Sequence, residues 1–200
     1  MIHWFNPRWY YQEDVGASAR DIIKTELVEK YLEDDSNFAQ PLGWTCDVLS
    51  THTVDNPDIP WDIFLREIMP SIQNFVDRFG SKHKEYSVVG TEMWANKYKK
   101  GMYQEAHTHP DRLCNLVGVY FYTIPKDSGT FLFYDEMYHP YKASGLEDVL
   151  HLPTSDSAEP QVKENEVILF PPHYLHHVTQ SKTAKERLTI SFNIHLEGKN

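Results

Sequence analysis

The chain has 11 histidines in 200 residues, and two groups of them are tightly spaced: His107-Thr108-His109 and His173-Tyr174-Leu175-His176-His177. Neutral imidazole binds transition metals through a ring-nitrogen lone pair and is the commonest protein ligand for them. On an extended strand, residues two apart point to the same side, so His107 and His109 can converge on one ion. The third ligand must come from a distant segment, and His173, His176 and His177 are the candidates. An isolated His-x-His is more often a surface or hydrogen-bonded pair. A second histidine group downstream supplies what that pair lacks, giving two ligands from one strand and one from another.

Arg187 lies 11 residues beyond His176 and opens the alternating run Arg187-Leu188-Thr189-Ile190-Ser191-Phe192-Asn193. Period-two alternation puts Arg187, Thr189, Ser191 and Asn193 on one face and Leu188, Ile190, Phe192 and Ile194 on the other. The polar Gln180-Ser181-Lys182-Thr183 stretch reads as a hairpin turn that would fold Arg187 back beside His176. A guanidinium on the metal-facing side needs an anion, and a carboxylate is its best planar partner. A metal with an arginine and a hydroxyl nearby is the arrangement that holds 2-oxoglutarate, whose oxo-acid end chelates the ion while its far carboxylate meets the arginine.

The elements that must position these groups follow from periodicity. Residues 18–34 read as a helix, with Ala19, Ile22, Ile23, Leu27, Tyr31 and Leu32 near a 3.6 period. Residues 60–79 read as a second, from Pro60 at the start to Gly80 at the stop, with Pro70 as a central kink. Short runs then take over at 87–97, 102–109, 116–124, 130–134, 149–152, 166–170 and 188–196. The segments 140–145 and 153–163 are polar and loop-like. Helices followed by about seven strands predict a mainly β fold with flanking helices (α+β), a double-stranded β-helix or cupin-like jelly roll. The expected unit is one domain over 1–200, with helices in 1–85 packed on a barrel of 86–197.

Composition narrows the partners. The 40% hydrophobic content supports a real core, while no apolar run nears the roughly 18 residues of a membrane span. A net charge of −10 disfavours nucleic acid and anionic membranes. Two cysteines, Cys46 and Cys114, make no disulfide scaffold, and the N-terminus carries no export signal, which points to the cytoplasm. A small-molecule or peptidyl substrate is the expected partner. No sequence feature specifies an oligomeric state.

Taken in order, several motifs resemble the iron(II)/2-oxoglutarate-dependent oxygenases, most of all a poorly characterised phage and marine bacterial branch. They are Trp94-Ala95-Asn96, Gln104–Pro110 around the His-x-His, Val117-Gly118-Val119-Tyr120-Phe121-Tyr122, Leu169-Phe170-Pro171-Pro172, His176-His177-Val178 and Arg187–Asn193. The resemblance covers about residues 90–196. It implies iron(II) as the metal, 2-oxoglutarate as co-substrate and O2 as oxidant, with hydroxylation of a substrate and release of succinate and CO2. It makes His107 the first iron ligand, His176 the distal one, Arg187 the clamp on the co-substrate carboxylate and Thr189 its hydroxyl partner. Tyr120, or its neighbour Tyr122, is the candidate for a further hydrogen bond to 2-oxoglutarate. His173 and His177 match no ligand position.

The departure is at His109, where the family's usual triad carries a carboxylate. Three readings follow: His109 as third ligand, Asp111 reaching in past Pro110, or Asp135 from the Phe133-Tyr134-Asp135 strand. The i, i+2 spacing favours His109. A neutral triad leaves iron(II) more positive than usual, which the 2-oxoglutarate dianion offsets, and leaves no position for halide. The competing expectations are a cupin-type three-histidine metalloenzyme and a metal-binding jelly-roll protein without 2-oxoglutarate. Cupins usually place a Glu about four residues after His-x-His, and that position here is Leu113.

Overall fold

The computed structural model describes residues 8–52, 54, 59–80, 85–109, 111–145, 148–149 and 155–199, with the side chains of residues 90 and 91 set aside. Two antiparallel sheets face one another. The larger has six strands: β1 (Tyr11–Asp14), β8 (Glu166–Phe170), β5 (Leu116–Thr123), β10 (Arg187–Lys199), β3 (Glu85–Tyr98) and β2 (Leu49–Ser50), in that spatial order. The smaller has four: β4 (Gln104–His107), β9 (His176–Val178), β6 (Phe131–Tyr134) and β7 (Ser157–Ala158). Among the described residues the two sheets form a jelly-roll sandwich and no closed barrel.

Both faces of the larger sheet are covered. Its outer face meets α1 (Ala17–Ile23), the wider turns that continue it over Lys24–Leu32, and α2 (Trp61–Phe79). Helix residues Ile23, Leu27, Leu32, Phe64, Ile68 and Ile72 are wholly buried there against Ile190, Phe192 and Ile194 of β10. Burying each such side chain stabilises the fold by about 1.5–3 kcal/mol. The inner face packs Val117, Val119, Phe121, Ile168 and Phe170 against Phe131, Phe133 and Val178 of the smaller sheet. In the outer layer the far end of the Phe192 ring abuts Gly118, where a Cβ would come within 2.0 Å of it. No side chain larger than hydrogen fits at that position.

The expected helices are present, with one difference. Residues 24–32 wind in π-type turns, and the Glu33 amide closes them by donating to the Val28 carbonyl at 2.9 Å, five residues back. Ile23/Val28 and Leu27/Leu32 are each five apart, so the wider winding keeps these buried residues in register. α2 runs through Pro70 and stops at Gly80, whose φ of 77° suits glycine.

Other boundaries depart further. β1, β2 and β7 are edge pieces of two to four residues, too short to show a period. α3 (Tyr138–Ala143) and β7 fall in segments expected to be loops. The strand expected at 149–152 lies almost entirely outside the described residues. The hairpin expected between His176 and Arg187 is not formed. β9 belongs to the smaller sheet and β10 to the larger, so residues 179–186 cross from one to the other. That crossing is fastened by Thr179 N to Thr130 O at 2.9 Å and Ser181 N to Met102 O at 2.8 Å. Among the described residues no helix is long and apolar enough to cross a membrane.

Candidate metal and co-substrate site

The site begins where β4 ends. His107, its last residue, pairs directly across from His176, the first residue of β9. His109 lies two residues past the strand, and its amide donates to the Pro172 carbonyl at 2.8 Å. That bond keeps the loop in line, so the same-side convergence expected of a continuous strand survives beyond its end. The three histidines each offer a ring nitrogen, and these nitrogens all lie within 4.8 Å of one another. Nε2 of His109 faces Nε2 of His176 at 3.3 Å.

Their tautomers follow from their partners. His107 Nδ1 contacts the Glu105 carbonyl at 2.8 Å, and His176 Nδ1 contacts the Tyr174 carbonyl at 2.8 Å. A carbonyl only accepts, so both Nδ1 atoms carry the proton and both Nε2 atoms present a lone pair inward. Each ring is also backed by an aromatic: Trp44 stacks on His107, Trp94 on His109 and Phe131 on His176, with centroids 6.3, 5.9 and 5.4 Å apart. Burial disfavours the charged imidazolium in all three. It pulls His109 down to about 4, helped by His107 and opposed by the Asn193 amide, and it holds His176 well below its ordinary value. Neutral imidazole is the form a metal requires.

The alternative carboxylates are elsewhere. Asp111 accepts the Leu113 amide at 2.7 Å in a turn, and Asp135 pairs with Arg8 at 2.9 Å. His177 points to the other side of β9, stacked on Tyr134 with centroids 4.5 Å apart. His173 sits edge-on to Tyr174, outside the cluster.

Behind the histidines, Arg187, Thr189 and Ser191 enter the same inner cavity from β10. Arg187 is 1% exposed. Its Nη1 donates to the Gly129 carbonyl, its Nε has no partner, and no carboxylate among the described residues pairs with it. The guanidinium lies 5.5 Å from the ring centres of both Tyr98 and Phe121. Burial depresses its pKa. Gly129 can hold that position only as glycine: its φ is 90°, and a Cβ would sit 2.3 Å from the Thr179 carbonyl. A buried cation with an unused donor fits a carboxylate-bearing co-substrate, just as three lone pairs fit a metal.

Tyr120, expected to bond the co-substrate, does not line this cavity. It lies on the opposite face of β5, among the residues under the helices, 5.8 Å from the Phe64 ring, and bonds Asn165 Oδ1 at 3.0 Å. Tyr122 faces the same helix layer. The cavity-lining tyrosine is Tyr98 on β3, buried, donating to Gln104 Oε1 at 2.7 Å. The signal for it was cross-strand register, since Tyr98, Asn96 and Trp94 pair with Arg187, Thr189 and Ser191. A larger cavity of about 470 Å³, near Trp9, Tyr10 and Tyr174, holds none of the three clustered histidines.

Residues 92–193 match a family described as "Putative 2OG-Fe(II) oxygenase". The chain belongs to this family, and it is an iron(II)- and 2-oxoglutarate-dependent oxygenase that uses O2. None of the curated proteins matches it in sequence. Solved structures share its fold across nearly its whole length. AviO1 from Streptomyces viridochromogenes Tue57 is 13% identical, with a TM-score of 0.61 over 94% of this chain and 90% of that one. A prolyl-4-hydroxylase from Pseudomonas putida is 13% identical, with a TM-score of 0.58 over 96% and 94%. HygX from Streptomyces hygroscopicus, solved with nickel and 2-oxoglutarate, is 13% identical, with a TM-score of 0.56 over 94% and 83%.

Proposed function

We propose that the chain hydroxylates a small-molecule or peptidyl substrate, with His107, His109 and His176 holding the iron and Arg187 with Thr189 holding the far carboxylate of 2-oxoglutarate. The observation that carries this reading is the pairing of three inward ring nitrogens with a buried arginine that has no acid partner, on facing sheets of one cavity. Iron(II) held there would supply the oxidising chemistry with O2 as oxidant and 2-oxoglutarate as co-substrate, succinate and CO2 being the co-products. The protein's residues do the rest. The Glu105 and Tyr174 carbonyls aim two imidazoles, Arg187 fixes the co-substrate's charge, and Trp94, Val117, Val119 and Phe131 keep the chamber apolar. The functional unit on this reading is the whole chain as one domain, because α1 and α2 cover the outer face of the sheet that carries Arg187.

The test is anaerobic addition of iron(II) and then 2-oxoglutarate, followed by admission of O2. A weak visible charge-transfer band and, after O2, succinate are expected. Metal binding without band or succinate would instead favour the cupin-type metal site.

A further inference from the structure

Next to the histidines lies a further cavity of about 290 Å³, lined by His107 and His109 and by Trp44, Trp94, Glu92 and Asn193. Its charge is one-sided. Glu92 and Glu105 line it, and no lysine or arginine does among the described residues. Two indoles, Trp44 and Trp94, are among its walls, and an indole face attracts cations through its quadrupole.

His52 shows how this wall treats an N–H group. Its ring lies 5.1 Å from Trp94 and 5.9 Å from Trp44, and its Nε2 meets Glu92 Oε1 at 2.9 Å. The other Glu92 oxygen accepts from Asn193 Nδ2 at 3.0 Å, so the carboxylate is fixed at the mouth while its side chain stays 57% exposed. One residue lining the cavity carries a buried polar atom with no partner: the Nε1 donor of Trp94, which is only 3% exposed. It costs free energy unless a ligand engages it.

We propose that this cavity is the substrate site and that it selects a substrate carrying a guanidinium or protonated amine next to a carbonyl. The cation lies between Trp44 and Glu92, and the carbonyl accepts from Trp94 Nε1. The inference rests on the reading of the adjoining histidines as the metal centre for the choice of substrate, but not for the binding itself.

The test is titration of intrinsic tryptophan fluorescence with Nα-acetyl-L-arginine amide and, separately, its neutral isostere Nα-acetyl-L-citrulline amide. Both the metal-free protein and the protein loaded with nickel(II) and 2-oxoglutarate are used. The arginine probe is expected to bind about tenfold more tightly, which is about 1.4 kcal/mol. Glu92→Gln should erase that preference, and Trp44→Leu, which leaves Glu92 in place, should reduce it. Equal binding of the two probes, or no binding of either up to about 10 mM, overturns the proposal. Preference for the arginine probe without nickel or 2-oxoglutarate binding would leave the site standing and defeat the oxygenase assignment of the histidines instead.

Discussion

Replacing Arg187 with methionine separates stability from co-substrate binding. The guanidinium is fully enclosed, has one carbonyl partner and two flanking rings, and leaves Nε unused. Its charge-assisted bond to Gly129 is worth about 1.5–3 kcal/mol, and each ring contact adds about 0.5–2. Against these stands a desolvation cost of several kcal/mol for a buried ion with no counter-ion. The opposing contributions nearly cancel, and methionine fills similar volume without any ionic cost. Arg187→Met is therefore expected to unfold in urea within about 1–2 kcal/mol of the parent. Binding of 2-oxoglutarate should fall much further, because a buried charge pair contributes about 2–5 kcal/mol, a loss of about 30-fold to 5,000-fold. Calorimetric titration of 2-oxoglutarate into the nickel-loaded variant measures the second effect, and nickel affinity serves as the control. The reasoning fails if the variant is grossly unfolded or if it binds 2-oxoglutarate as the parent does.

Three further outcomes are expected. His176→Ala should abolish tight nickel binding by equilibrium dialysis while His177→Ala leaves it intact, since His177 stacks on Tyr134 instead of joining the cluster. Metal-free protein should lose stability on acidification. An unfolded histidine takes up its proton near pH 6.5 whereas folded His109 resists until about 4, so protons favour the unfolded chain between those values. His109 alone withdraws about 2 kcal/mol between pH 7.5 and 5.0. Urea unfolding of the parent and of His109→Gln at both pH values checks this, and an identical pH response in the two would contradict it. Gly118→Ala should destabilise the fold by about 1–3 kcal/mol, because its Cβ would overlap the Phe192 ring; a midpoint unchanged from the parent would refute that packing argument.

The site was legible where side chains alternate against water or charge. Arg187, Thr189 and Ser191 interleave with Leu188, Ile190 and Phe192, so the polar row and its phase are plain in the sequence, and the structure puts that row inside. Tyr120 was misplaced for the opposite reason. β5 is buried on both faces from Leu116 to Phe121, and its nearly unbroken apolar run carries no phase. Nothing in the sequence around Tyr98 singles it out, because its place in the cavity comes from pairing with Arg187 on the neighbouring strand. The crossing after His176 read as a hairpin because turn residues mark a change of direction without saying which strand comes next. The helices were clear in extent, but their winding was not. The choice between ordinary and π-type turns at Lys24–Leu32 depends on the sheet surface they cover.

The holders of the three imidazoles differ in kind. His107 and His176 are aimed by main-chain carbonyls, those of Glu105 and Tyr174, which every amino acid possesses. Mutational drift at positions 105 and 174 can change a side chain without removing either holder. His109 has the side chain of Asn193 beside it, tethered in turn to Glu92. Two of the three ring orientations are thus encoded by backbone shape, while the third has a side chain beside it. On the proposed reading of these histidines as iron ligands, substitutions at positions 92 and 193 would retune the His109 corner and leave the main-chain holders of the other two in place.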